Sequence, residues 1–202
     1  MNRYPIPSRT SVSEQVIQRS RFITTLSRAG SAEEARQVVA AVRAEHPTAT
    51  HNCFAFVAGP PGSTAQIGMS DDGEPAGTAG RPMLAVLLGS GVGDVVAITT
   101  RYFGGIKLGT GGLVRAYGGS VKAALAKADL IEKVTRVTLS LSADYRAVNA
   151  LERQFPNFEA EIVARDFGEI AAWRLTLPEE RVEGLVNAVQ ELSAGGASWQ
   201  IL

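Results

Sequence analysis

Gly104, Gly105, Gly109, Gly111 and Gly112 stand between a β-branched apolar run (residues 95–100, closed by Arg101) and an amphipathic helical pattern. No other stretch narrows the possible folds as much. Glycine makes positive φ and close backbone approach cheap, but it loses the most entropy on ordering. Such a density between two hydrophobic elements predicts a shaped loop whose backbone amides face something. From Val95 through Ala128 there is no Asp or Glu, whereas Arg101, Lys107, Arg115, Lys122 and Lys127 all fall there. A strand, a glycine-rich loop, a helix start and an unopposed basic set together predict anion binding.

The chain has 202 residues, enough for one large domain or two small ones, and its 45% hydrophobic and 20% charged content predicts a packed core rather than disorder. Net charge is zero, yet residues 1–136 carry 15 Lys/Arg against 10 Asp/Glu, and residues 137–202 carry 5 against 10. The positive half holds the glycine-rich loop, which permits a polyanionic partner. A single cysteine, Cys53, leaves no internal disulfide and predicts a cytoplasmic location. No apolar run approaches the roughly 18 to 20 residues of a membrane span, and residues 1–10 lack the apolar centre of a secretion signal.

Residues 12–26 read as one or two strands, and Ser31 with Glu34 forms a capping box that opens a helix ending at His46-Pro47. Residues 51–57 read as a buried strand, 70–82 as a loop, 83–88 as a helix, 95–100 as a buried strand, and the segment up to Ala128 as a helix. Composition shifts near Lys133, so a boundary between domains is expected at about residues 132–136, giving domains 1–133 and 134–202. Beyond it the pattern runs β-α-β-β-α-β, a ferredoxin-like order. Within it, Asp166-Phe167-Gly168 reads as a hairpin turn, Pro178 as the first position of a helix, and Trp173 and Trp199 as inward strand residues. The fold class is therefore α+β with two domains.

Four groups of residues bear on chemistry. Gly109, Thr110, Gly111 and Gly112 open a helix, where free N–H groups and the helix dipole favour an anion, with Lys107 as a mobile charge; a tight strand-to-helix connection explains the glycines equally. Neither the P-loop nor the dinucleotide pattern is met. Asp71, Asp72 and Glu74 form a carboxylate set that suits Mg²⁺, or contact with a ligand or partner, or a turn in which an acid pairs with Arg81 or Arg101. His51 has the chemistry of an acid, base or ligand, although a hydrogen-bonded structural histidine is commoner, and Cys53 reads as core. Arg101, Tyr102, Phe103, Lys107 and Arg115 interleave cations with aromatics, as single-stranded nucleic-acid sites do. One of the adjacent Tyr102 and Phe103 is expected in the core, because successive strand residues point to opposite faces.

His51-Asn52-Cys53, SDDGEPAGTAGRP (residues 70–82) and TTRYFGGIKLGTGGLVRAYG (residues 99–118) resemble the YigZ/IMPACT family. The resemblance implies an N-terminal domain of the ribosomal-protein-S5-domain-2-like type and a C-terminal domain similar to the ferredoxin-like domains that end elongation factor G. It implies a role near translation control or stress response, with RNA or the ribosome as partner, a translation factor as a further possible one, and no defining reaction. The reading is a non-enzymatic protein with no cofactor, no metal and no membrane contact. It grips a phosphate-bearing partner through Arg101, Tyr102, Lys107, Gly109, Thr110, Gly111, Gly112 and Arg115. Beside them His51, Asn52, Asp71, Asp72, Glu74, Thr78 and Arg81 form a cleft for partner contact. A Mg-dependent enzyme acting on a nucleotide or phosphometabolite, and a protein-interaction module, are the competing classes.

Overall fold

The structure is a computed structural model that describes residues 3–202. It separates into two compact units, Arg3–Lys133 and Val134–Leu202. The first unit runs β1 (Arg3–Pro7), β2 (Ser11–Ile17), β3 (Ser20–Arg28), α1 (Ala32–Glu45), β4 (His51–Val57), β5 (Ile67–Ser70), α2 (Gly80–Leu88), β6 (Val95–Tyr102), α3 (Gly109–Leu125) and β7 (Leu130–Val134). Five of its strands form an antiparallel sheet in the order β2-β3-β6-β4-β5, with β6 at the centre.

Alternation along β6 divides the core. Val95 and Ala97 join Phe22, Leu26, Cys53, Ala55 and the inner faces of α2 and α3. Val96 and Ile98 join Phe56 and α1, through Ala35, Val39 and Val42. The central strand is buried on both faces and reads as a continuous apolar run for that reason. Ser31 caps α1 by accepting from the Glu34 N–H at 3.1 Å, while Glu34 reaches past the cap to the Gly30 N–H at 2.8 Å.

The second unit runs β8 (Arg136–Ala143), α4 (Val148–Gln154), β9 (Glu161–Phe167), β10 (Ala171–Pro178), α5 (Val182–Leu192) and β11 (Ser198–Ile201). Its antiparallel sheet has the order β11-β8-β10-β9, so the fourth strand lies beside the first and the second beside the third, as in the ferredoxin-like arrangement. Leu139, Leu141, Trp173, Leu175 and Leu177 face the core with Leu151, Phe155, Leu185 and Val189 of the helical segments.

The structure corrects several local expectations. Trp199 pairs with inward Leu141, yet it is 43% exposed, because β11 is an edge strand. Asp166 and Phe167 remain in β9, opposite Ala172 and Ala171, and the turn is Gly168 to Ile170. Pro178 ends β10, and a 3₁₀ turn, Glu179–Arg181, precedes α5. Lys133 lies in β7, which pairs with β1. Neither Tyr102 nor Phe103 is core: Tyr102 is half-buried and Phe103 is 48% exposed.

Candidate functional site

The glycine-rich loop between β6 and α3 is fastened at its first turn. The Phe103 N–H donates to Thr50 Oγ1 at 3.1 Å, and the Gly104 N–H donates to Ser20 Oγ at 3.2 Å. Gly104 lies against the Arg19–Ser20 backbone, where a Cβ would fall 2.0 Å from the Arg19 carbonyl oxygen. Gly109, at φ +72°, turns the chain into α3. Leu108 stands at the N-cap with no side-chain oxygen to offer. The N–H groups of Gly109, Thr110 and Gly111 therefore open the helix without a partner among the described residues. The amides expected to face an anion are exposed and unspent.

Beside this helix start lies a cavity of about 480 Å³. Lys107, Gly109 and Thr110 line it from the loop, His51 and Arg101 from the strand ends, Glu74 from the 70–82 loop, and Phe103, Leu108 and Leu113 supply apolar surface. Arg101 does not stand in solvent as a free cation. It is 5% exposed, because β6 alternation sends it under α3, and there its Nη1 donates to Glu74 Oε1 at 2.6 Å. Its Nη2 reaches Ser20 Oγ at 3.3 Å, its guanidinium lies 5.4 Å from the ring centres of both Phe22 and Phe103, and its Nε is buried without a partner. Glu74 Oε1 also accepts from the Tyr117 hydroxyl at 2.7 Å. Burial first, then the neighbouring Cys53 and Glu74, hold the Tyr117 phenol far above its ordinary value.

Among the three loop carboxylates, only Glu74 reaches this cavity. Asp71 accepts from the N–H groups of Gly77, Ala79 and Gly80 at 2.8, 2.9 and 2.8 Å, shaping the turn into α2. Burial pushes its pKa up, but those three amides outweigh burial and leave it below the ordinary carboxylate value. Asp72 accepts from the Asn52 N–H at 2.6 Å and pairs with Arg43 at 2.5 Å. Asn52 is itself buried and accepts from Thr100 Oγ1 at 2.8 Å, and Thr78 is buried with its hydroxyl donating to the Pro75 carbonyl at 2.6 Å. These four residues build the loop that presents Glu74. Among the described residues no cluster of His, Cys, Asp and Glu is gathered for a metal ion.

The remaining sequence-predicted residues divide between other faces. Tyr102 points to the α1 side, where its hydroxyl meets His46 Nδ1 at 2.9 Å and its ring receives Arg21. Arg81 and Arg115 line a groove of about 530 Å³ between α2 and α3, together with Lys122. Gly112 and Arg115 also border a smaller hollow beside Leu108, and Gly111 lies under the Arg115 guanidinium. Arg81, Lys107, Arg115 and Lys122 are exposed, and none has an acidic partner among the described residues. Sequence reasoning missed Tyr117 as a site residue. Its helical spacing marked it as core, and only the position of Glu74 shows that its hydroxyl is used.

Fold and site together define a two-domain α+β protein whose first domain carries a helix-start cavity over a buried Glu–Arg pair. The Impact N-terminal domain model matches residues 18–125. The chain is 42% identical over 195 residues to the IMPACT family member YigZ of Escherichia coli (strain K12), covering 96% of each chain. It is also 42% identical over 202 residues to an IMPACT family member of Haemophilus influenzae, covering 100% of this chain and 98% of that one. A crystal structure described as that of a hypothetical protein aligns with a TM-score of 0.70 at 40% identity, over 100% of this chain and 98% of its own. The chain belongs to the IMPACT family. No helix among the described residues is long and apolar enough to cross a membrane.

Proposed function

We propose that this IMPACT-family protein binds a phosphate-bearing partner, single-stranded RNA first among the candidates, and acts in translation control or stress response in the cytoplasm without a reaction of its own. The observation that carries the reading is the set of unopposed donors on α3 and its neighbours. Uncapped N–H groups, Thr110 and Lys107 stand at the helix start, and Arg115, Arg81 and Lys122 line the separate α2–α3 groove. Free amides and the helix dipole favour a phosphate at the first position, and the exposed cations favour a chain of phosphates beyond it. Glu74 does not repel such a ligand as a bare carboxylate would, because Arg101 neutralises it at 2.6 Å.

The ferredoxin-like unit favours the reading less. Its open sheet face carries Thr138, Ser140, Ser142, Ala172, Arg174 and Thr176, a row without the aromatics on which bases stack. The Mg-dependent enzyme is also the weaker reading, since Asp71 and Asp72 are spent on backbone amides and Arg43.

Fluorescence anisotropy with short labelled RNA tests the proposal. The expected result is salt-sensitive binding, weakened at least tenfold in Lys107→Ala/Arg115→Ala. The slope of log K against log salt should fall by about 1.4 for the two lost phosphate contacts. A double variant that keeps its fold and binds RNA like the parent overturns it. Saturable Mg-nucleotide binding without RNA binding supports the enzyme instead.

A further inference from the structure

Two unspent lone pairs lie side by side in the cavity. Glu74 uses Oε1 for Arg101 and Tyr117, while Oε2 receives no hydrogen bond among the described residues and lies 3.9 Å from His51 Nε2. His51 Nδ1 is 2.7 Å from the Asp72 carbonyl oxygen, which can only accept. In the singly protonated ring Nδ1 therefore carries the proton, which leaves Nε2 as an acceptor. Glu74 is 8% exposed, so a carboxylate more than nine-tenths buried offers a free oxygen beside a free ring nitrogen. Both line the cavity that Lys107, Gly109 and Thr110 also line.

Two acceptors 3.9 Å apart are matched by one nitrogen with two N–H groups, placed at hydrogen-bond distance from each. A hydroxyl has a single proton and satisfies one of them. A carbonyl satisfies neither and adds a third lone pair to the cluster. Among phosphate-bearing ligands two groups supply this, an ammonium group and the exocyclic amino group of a nucleobase. Phe103 favours the base: it is 48% exposed, lines the same cavity, and is backed by the Arg101 guanidinium 5.4 Å from its ring centre. Such a ring stacks a base of any sequence.

We propose that the cavity holds one nucleotide of the bound strand, with its phosphate at the start of α3, its base against Phe103, and its exocyclic amino group between Glu74 Oε2 and His51 Nε2. The inference rests on the phosphate reading above and adds base selection to it. Bases with an amino group at this edge, cytosine and adenine, are accepted, and their carbonyl counterparts, uracil and hypoxanthine, are refused.

Matched oligocytidylate and oligouridylate carry equal phosphate charge, so their competition isolates the base. The parent protein is expected to prefer cytidylate by about tenfold, the usual order for one well-made base contact. His51→Ala should bring the ratio toward one. In Glu74→Gln, Oε1 stays with Arg101 and Tyr117, so the amide NH₂ takes the place of Oε2 and donates. Preference should then move to uridylate. Where Glu74→Gln does not fold, the His51→Ala ratio decides. Equal binding of the two oligonucleotides, lost on Lys107→Ala, overturns base selection and leaves the phosphate reading standing. Binding of neither overturns both. A parent ratio untouched by His51→Ala overturns the assignment to this edge. Binding of phosphoethanolamine in place of cytidylate overturns the base in favour of an ammonium.

Discussion

Glu74 and Arg101 meet at 2.6 Å with side chains 3% and 6% exposed, joining the tip of the 70–82 loop to the end of the central strand. Removing one member of a buried pair leaves an uncompensated charge and costs about 3–5 kcal/mol, whereas replacing both with apolar residues is often close to neutral. Arg101→Met should lower unfolding stability in urea by that amount. Glu74→Leu/Arg101→Met should recover most of it. A double variant as unstable as the sum of the two singles would show that the pair is not coupled.

Asp71 gives the first domain an acid limb. Its folded pKa is depressed, so its stabilising contribution is full above the unfolded value of about 3.9 and is lost as pH falls through the folded value. Asp71→Asn should lower stability at pH 7 by about 1.5–3 kcal/mol, the range for hydrogen bonds to a charged group. It should also flatten the loss of stability below pH 4. Chemical denaturation at pH 7, 5 and 3 reads both effects.

Two glycines, one in the β6–α3 loop and one inside α3, should respond oppositely to alanine. At Gly104 a methyl meets the Arg19–Ser20 backbone, which cannot swing aside as a side chain can. The expected loss is about 3 kcal/mol or more. At Gly119, inside α3, nothing lies within 4 Å of the added Cβ. Alanine there should stabilise by about 0.5–1 kcal/mol through helix propensity. Melting temperatures of the two variants check the contrast.

Cys53 should be inert in the native protein. Burial above all, against the lowering effect of Tyr117 and with Glu74, Asp72 and Asp71 adding to it, pushes its thiol up to about 12. The thiolate is the reactive form. Alkylation at pH 8 should follow the unfolding rate in buffer and become rapid in denaturant. Fast labelling of folded protein would contradict the burial.

Periodicity made the framework legible. Val95 to Thr100 announced a strand buried on both faces, and the alternation of Leu139 with Leu141 and of Trp173 with Leu175 placed the second sheet. Edges were harder: Trp199 has the inward parity of a core residue, but parity does not reveal that β11 lies at the sheet edge and leaves it 43% exposed. The short β1 and β7 carry little pattern of their own and are recognisable only through each other. Within the site, composition identified the exposed cations and the uncapped amides, since both are local properties. The role of each carboxylate was not local. Asp71, Asp72 and Glu74 are nearly adjacent in sequence, yet the first turns to backbone amides, the second to Arg43 and Asn52, and the third to Arg101 across 27 positions.

The contact of Gly104 with the tip of the β2–β3 hairpin sets one end of a short span whose other end is Gly109 at the head of α3. With both ends fixed, the four residues between them act as a ruler for Lys107. One residue more would let the lysine drift from the helix start, and one fewer would pull the helix off its seat on the sheet. Length is what this segment must preserve, together with glycine at position 105, where φ is +85°, and the packing of Leu108 against the core.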